Sequence, residues 1–244
     1  MSHNLPTGSE PTAADLDRPL YTPIKRRSFF MYAGATAGAT ALVLAGCSKD
    51  DNNSPGMVNV GTGDVGVLNY AYALEQLEAD FYTQVRSGSY YMGLGAGSAE
   101  KQIFDDLYYH EVIHRDFFKA AITAANATPI KALTTVYPTG TFNSKATVLA
   151  TAKAFEDLGV AAYNGAAQYI TTAQYLFIAG KIVSVEARHA ALIRDLVTEG
   201  SFVGSDIVDI AGNSLEMSKL PSVVVATANT FLADGSKLDV SGLG

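Results

Sequence analysis

Leu74-Glu75-Gln76-Leu77-Glu78-Ala79-Asp80-Phe81-Tyr82 and Phe155-Glu156-Asp157-Leu158-Gly159-Val160-Ala161-Ala162-Tyr163 carry one signature twice: a glutamate, then a tyrosine seven residues on. Each is followed by a glutamate and a histidine three positions apart. Glu111-Val112-Ile113-His114 follows the first copy and Glu186-Ala187-Arg188-His189 the second. All these residues fall in apolar sequence that repeats at steps of three and four, the period of a helix with one buried face. Leu68, Ala71, Glu75, Glu78, Tyr82 and Val85 share one such face. Ile103, Leu107, Glu111, His114, Phe118 and Ala121 share a second. Ala152, Glu156, Gly159, Tyr163 and Ala166 form a third, and Ile178, Ile182, Glu186, His189, Ile193 and Leu196 a fourth.

The spacing predicts four long helices. The first runs from an N-cap at Asp64 to about Arg86, and the second from Ser98, a partial cap, to about Ala125. The third spans Ser144 to Tyr169, and the fourth is capped by Thr171 and Thr172 and ends near Val197. Gly and Ser between Gly88 and Ser98 mark a loop, and residues 126–143, with Pro129 and Pro138, form a long connection. Short loop, long crossover and short turn define an all-α four-helix bundle with one crossover, occupying residues 64–200. Residues 201–244 form a tail in which Pro221 to Leu232 is expected to be a short C-terminal helix with no chemistry assigned.

An ionised carboxylate inside an apolar stripe is costly unless it is paired or binds a cation. Glu and His at i and i+3 project from one side of a helix, so one such turn offers an oxygen and a nitrogen to the same centre. Two such turns, with single glutamates from two further helices, make a two-metal box. Glu75, Glu111, His114, Glu156, Glu186 and His189 are the expected ligands, and four carboxylates balance two divalent ions. Glu111 and Glu186 are expected to bridge, and Glu75 and Glu156 to be terminal. Beyond residue 46 the chain has eight Glu and three His, and six of those eleven residues fall in this pattern. Glu78 shares the first stripe, but Gly159 stands at its place in the second copy, so the duplication selects Glu75. Tyr82 and Tyr163 can hydrogen-bond a ligand carboxylate or pack as core tyrosines; Glu78 either supports the site or faces the tail, and His110 is a further residue expected to support the site. Iron and manganese both suit this donor set.

His110-Glu111-Val112-Ile113-His114 also spells the zinc-protease pattern, in which both histidines bind zinc and the glutamate is a general base. The second copy reads Val185-Glu186-Ala187-Arg188-His189, so His110 has no counterpart and the repeated unit is the shorter one. A zinc hydrolase therefore stays a minor alternative.

Arg26-Arg27-Ser28-Phe29-Phe30 precedes an apolar run from Met31 to Gly46, shorter than a membrane span. Residues 1–46 read as a signal peptide of the twin-arginine type; an ordinary secretory leader with two arginines is the alternative. Leu44-Ala45-Gly46-Cys47 resembles a lipobox, and Cys47, the chain's single cysteine, is the expected lipidation site. Residues 47–63 are then a lipidated tether and the membrane contact is an anchor, in a cell-envelope lipoprotein expected at the outer membrane. The formal charge of −7 without a basic stripe argues against nucleic acid as a partner. A lipidated N-terminus and a long tether suit a membrane-bound monomer or small oligomer better than a cage-forming iron store.

The four segments quoted above resemble the bacterial exported ferritin-like domain family, which includes desiccation-related proteins. The resemblance covers about residues 64–200. It implies a ferritin-like four-helix bundle with a di-metal site of two iron or manganese ions, and it leaves the reaction open. The chemistry expected of such a site is oxidation of Fe(II) or reduction of O2 or peroxide. The alternative is a non-enzymatic envelope or stress protein whose metal braces the bundle or whose site is empty.

Overall fold

The computed structural model describes residues 56–243. The arginine pair, the apolar run and Cys47 lie outside the described residues. Four long helices dominate: α1 (Gly63–Ser87), α2 (Ala99–Ala124), α3 (Lys145–Ala166) and α4 (Ala173–Val197). A single helical turn, Ser89–Met92, fills the α1–α2 loop, and a 3-10 turn, Ala167–Tyr169, extends α3. The tail adds α5 (Pro221–Ala228) and 3-10 turns at Asn229–Phe231 and Ser241–Leu243. Short connections make α1 and α2 one antiparallel pair and α3 and α4 another. The segment between α2 and α3 crosses over from one pair to the other. This is an all-α ferritin-like bundle. Among the described residues no helix is long and apolar enough to cross a membrane.

Local chemistry sets the ends. Ser98 accepts from the Lys101 N–H at 3.3 Å and Ser144 from the Thr147 N–H at 3.3 Å, each satisfying a helix-start donor. The start of α1 differs from expectation. Thr62 holds the N-cap position without a side-chain cap, and Asp64 lies in the first turn. The Asp64 carboxylate accepts instead from the backbone N–H groups of Thr171, at 2.7 Å, and Thr172, at 3.0 Å. Thr172, the N-cap of α4, makes no side-chain cap of its own. One carboxylate thus serves two helix N-termini, where negative charge is favoured. Burial opposes its ionisation, but the hydrogen bonds from Thr172 and Thr171 outweigh it and lower its pKa. A lowered carboxylate stabilises the fold above its unfolded pKa and loses that effect as pH falls through the folded value. Asp64→Ala is expected to cost about 0.5–2 kcal/mol at neutral pH. Urea unfolding should show the gap from wild type closing in strong acid; a gap independent of pH contradicts this role.

Burial on α1 extends far beyond one stripe: from Gly66 to Ala79 every residue is buried. The crossover explains this. Asn69, Gln76 and Asp80 sit at helical spacing on the side of α1 away from the bundle axis. Asn69 Oδ1 accepts from the Ile130 N–H at 3.0 Å, and Gln76 Oε1 from the Leu133 N–H at 2.9 Å. Asp80 accepts from Thr135 Oγ1 at 2.6 Å and from the Tyr137 hydroxyl at 3.1 Å. The extended crossover is thereby fastened along the helix, with the backbone N–H groups of Ile130 and Leu133 satisfied by α1 side chains.

The tail closes the same side. Val136 donates to the Phe231 carbonyl at 2.8 Å, and Ala233 to that of Thr134 at 2.9 Å. Leu238–Asp239 (β2) pairs in parallel with Val58–Asn59 (β1), and Val60, Leu232, Leu238 and Leu243 are buried in the main core. Val58 and Asn59, which fall within the stretch 47–63, form this short strand, and Val58 and Val60 are buried. Gly165 lets the tail approach α3: a Cβ there would lie 1.8 Å from the Lys219 carbonyl oxygen. The Lys219 N–H donates to the Ala161 carbonyl at 2.9 Å beside it. Arg194 on α4 is buried and grips Asp157 of α3 with two bonds of 2.7 and 2.8 Å, and Asp206 of the tail at 2.7 Å. Planar two-pronged pairing of this kind fixes orientation as well as charge.

Candidate metal centre

Midway along the bundle, each long helix turns one carboxylate inward. Glu75 (α1), Glu111 (α2), Glu156 (α3) and Glu186 (α4) are each 0% exposed. His114 and His189 follow their glutamates by three residues, so helix geometry places them beside the same carboxylates. The side chains form two sets, Glu75, Glu111, His114 and Glu186, and Glu111, Glu156, Glu186 and His189. Within each set the four donor atoms lie within 4.8 Å of one another, and such groups can hold a metal ion.

Glu111 and Glu186 belong to both sets. Glu186 Oε1 lies 2.8 Å from His114 Nδ1, while its Oε2 lies 3.6 Å from His189 Nδ1. Glu111 mirrors this, with Oε1 2.8 Å from His189 Nδ1 and Oε2 3.5 Å from His114 Nδ1. Each shared carboxylate presents one oxygen to each half. Glu75 Oε2 is 3.6 Å from His114 Nδ1, and Glu156 Oε2 is 3.5 Å from His189 Nδ1. The tyrosines bind across the duplication. The Tyr82 hydroxyl donates to Glu156 Oε1, and the Tyr163 hydroxyl to Glu75 Oε1. Each leaves the other oxygen of its glutamate facing the centre.

Each donor set fits a metal ion. Glu75 Oε2, both oxygens of Glu111 and of Glu186, Glu156 Oε2, and both histidine Nδ1 atoms are buried without a hydrogen-bond partner. Close approaches to the histidines coexist with this because the atoms converge on shared space and are not aligned as donor and acceptor. Native interiors do not leave so many polar atoms unsatisfied in one place unless something else satisfies them. Without cations, protons take over that task. Burial and crowding with Glu186 push Glu111 up to about 8. Burial chiefly raises Glu75 and Glu156 as well. Burial disfavours the His114 imidazolium, but Glu111, Glu186 and Glu75 override it and raise its pKa to about 12. His189 is raised in the same way by Glu111, Glu156 and Glu186. Burial alone would raise Glu186 too, yet its two imidazole neighbours hold it at about 2.

His110 belongs to neither set. Its Nδ1 lies 2.8 Å from His189 Nε2, on the far side of that ring from the carboxylates. Among the described residues, no metal-capable set contains His110, so the two-histidine pairing of the zinc pattern is not among them. With His189 Nδ1 turned to the centre, its Nε2–H is the donor and His110 Nδ1 the acceptor, which fixes the tautomer and ring orientation. His110→Ala is expected to weaken metal affinity about 10–100-fold while the saturating metal count stays unchanged. Equilibrium dialysis measures both, and unaltered affinity contradicts the assignment. Glu78 is also fully enclosed, between α1 and α3, outside both sets. The crossed tyrosine pairing was not readable from spacing within either copy; it follows from α1 and α3 facing each other.

Fold and site together define a ferritin-like helical bundle with a buried carboxylate–histidine cluster. A family model for the ferritin-like domain matches residues 63–199, and the chain belongs to that family. No curated protein matches the chain.

Proposed function

We propose that this chain holds two iron or two manganese ions and uses them to oxidise Fe(II) or to reduce O2 or peroxide. The observation that carries the reading is the sharing of Glu111 and Glu186 between two complete donor sets. When bound, such ions supply one-electron steps and Lewis acidity that carboxylate and imidazole lack. The chain's part is positioning. Glu75 and Glu156 are held by Tyr163 and Tyr82, and Glu111 and Glu186 span the halves. The centre is nearly closed to water, with His114 the most exposed ligand at 12% of its side chain. Elemental analysis of protein from its native host, followed by O2 and peroxide consumption by the loaded protein, tests this. Two ions per chain with turnover support it, and absence of metal contradicts it.

The complete burial of the four carboxylates also supports a second reading, in which the ions brace the bundle without turnover. Two ions per chain with no consumption of either oxidant would select it.

We infer from Arg26-Arg27, the apolar run and Cys47 that the protein is an exported, lipid-anchored envelope protein. Cys47→Ser is expected to move it from the membrane fraction to the soluble fraction. Persistent membrane attachment contradicts the anchor.

A further inference from the structure

The two halves of the centre carry the same glutamates, histidines and tyrosines but differ at two places, His110 against Val185 and Glu78 against Gly159. Glu75, Tyr82, Glu111 and His114 correspond to Glu156, Tyr163, Glu186 and His189. In the structure Glu78 and Gly159 meet. A Cβ on Gly159 would lie 2.9 Å from Glu78 Oε1 and 3.9 Å from Glu186 Oε2. The missing side chain on α3 makes the room that the extra carboxylate from α1 occupies. Leu74, Leu77, Phe155 and Leu158 complete an apolar slot around Glu78 and Gly159.

Glu78 is 4% exposed and its Oε2 has no hydrogen-bond partner. A carboxyl group so placed is costly without a compensating interaction. No cation of the protein lines its slot, and the charged groups it senses are the carboxylates of Glu186, Glu111, Glu75 and Glu156. Glu186 Oε2, the ligand oxygen beside the slot, is the one turned toward His189.

We propose that Glu78 is a fifth carboxylate of the metal centre, serving the position formed by Glu156, His189 and the shared glutamates, so that the two metal positions are unequal. This rests on the two-ion reading above. The Glu156–His189 position gains a nearby negative charge that the Glu75–His114 position lacks, and it binds its ion more tightly.

Calorimetric titration of the metal-free full chain with Mn(II) tests this. Wild type should bind two ions in two resolved steps. Glu78→Gln, nearly isosteric, should weaken the tighter step about 10–100-fold, the range for groups supporting metal ligands. The weaker step should change by less than about threefold, within the spread of ordinary context effects. Gly159→Ala puts a methyl group against Glu78 Oε1 and should reproduce the same one-step loss without removing any charge. Circular dichroism and unfolding of each variant show that the bundle is retained. Two unchanged steps in Glu78→Gln, or equal weakening of both, overturn this inference alone. A wild type that binds no Mn(II) overturns the two-ion reading and this inference with it.

Discussion

Glu186→Ala is expected to release both ions, whereas Glu75→Ala or Glu156→Ala should each weaken one position more than the other. The asymmetry follows from the donor sets. Glu186 appears in both, and so does Glu111, while Glu75 and Glu156 appear in one each. Removing a shared carboxylate takes one oxygen from each position at once. It also leaves His114 and His189 with fewer anions nearby, so the imidazolium form is less favoured and the remaining charge balance suits fewer cations. Elemental analysis after desalting should show the metal content of Glu186→Ala falling from two per chain to none. Glu186→Gln, which preserves volume, should do the same, because a neutral amide cannot supply the missing charge. Retention of two ions by both variants contradicts the bridging role.

Removal of metal by a chelator should lower thermal stability by a large margin. Each ion present at a hundredfold excess over its Kd contributes about 2.7 kcal/mol through preferential binding to the folded state. Two ions give about 5 kcal/mol, and a chain of this size shifts its Tm by about 2–4 °C per kcal/mol. Scanning calorimetry should therefore show a loss of about 10–20 °C, restored by Mn(II) or Fe(II). The physical cause is the set of buried carboxylates that the metal-free protein satisfies only by taking up protons. A chelated sample with unchanged Tm contradicts occupancy of the buried site.

The four helices were legible because each carries an apolar stripe at helical spacing, interrupted by Gly and Pro where the chain turns. The six residues that converge at the centre stood out because buried charge is rare and here recurs at matching positions. The rest depends on contacts between distant segments. Asn69, Gln76 and Asp80 lie off the α1 stripe, yet they fasten the crossover, Asn69 and Gln76 through its backbone N–H groups and Asp80 through the hydroxyls of Thr135 and Tyr137. Asp64 read as the cap of its own helix, but the α3–α4 turn brings two better-placed donors to it. Val58 and Leu238 are far apart in sequence, and two-residue strands have no periodicity to betray them. The tight seat of Lys219 against Gly165 is equally invisible in spacing, since a glycine near a helix end reads first as a terminator.

Anomalous diffraction from crystals of the metal-loaded protein, recorded at the absorption edge of the bound element, tests the central claim most directly. Two peaks about 3.5–4 Å apart are expected, the usual separation in two-metal sites. One should lie against Glu75 and His114, the other against Glu156 and His189, with Glu111 and Glu186 between them. A single peak held by His110 and His114, or no peak inside the bundle, contradicts the account.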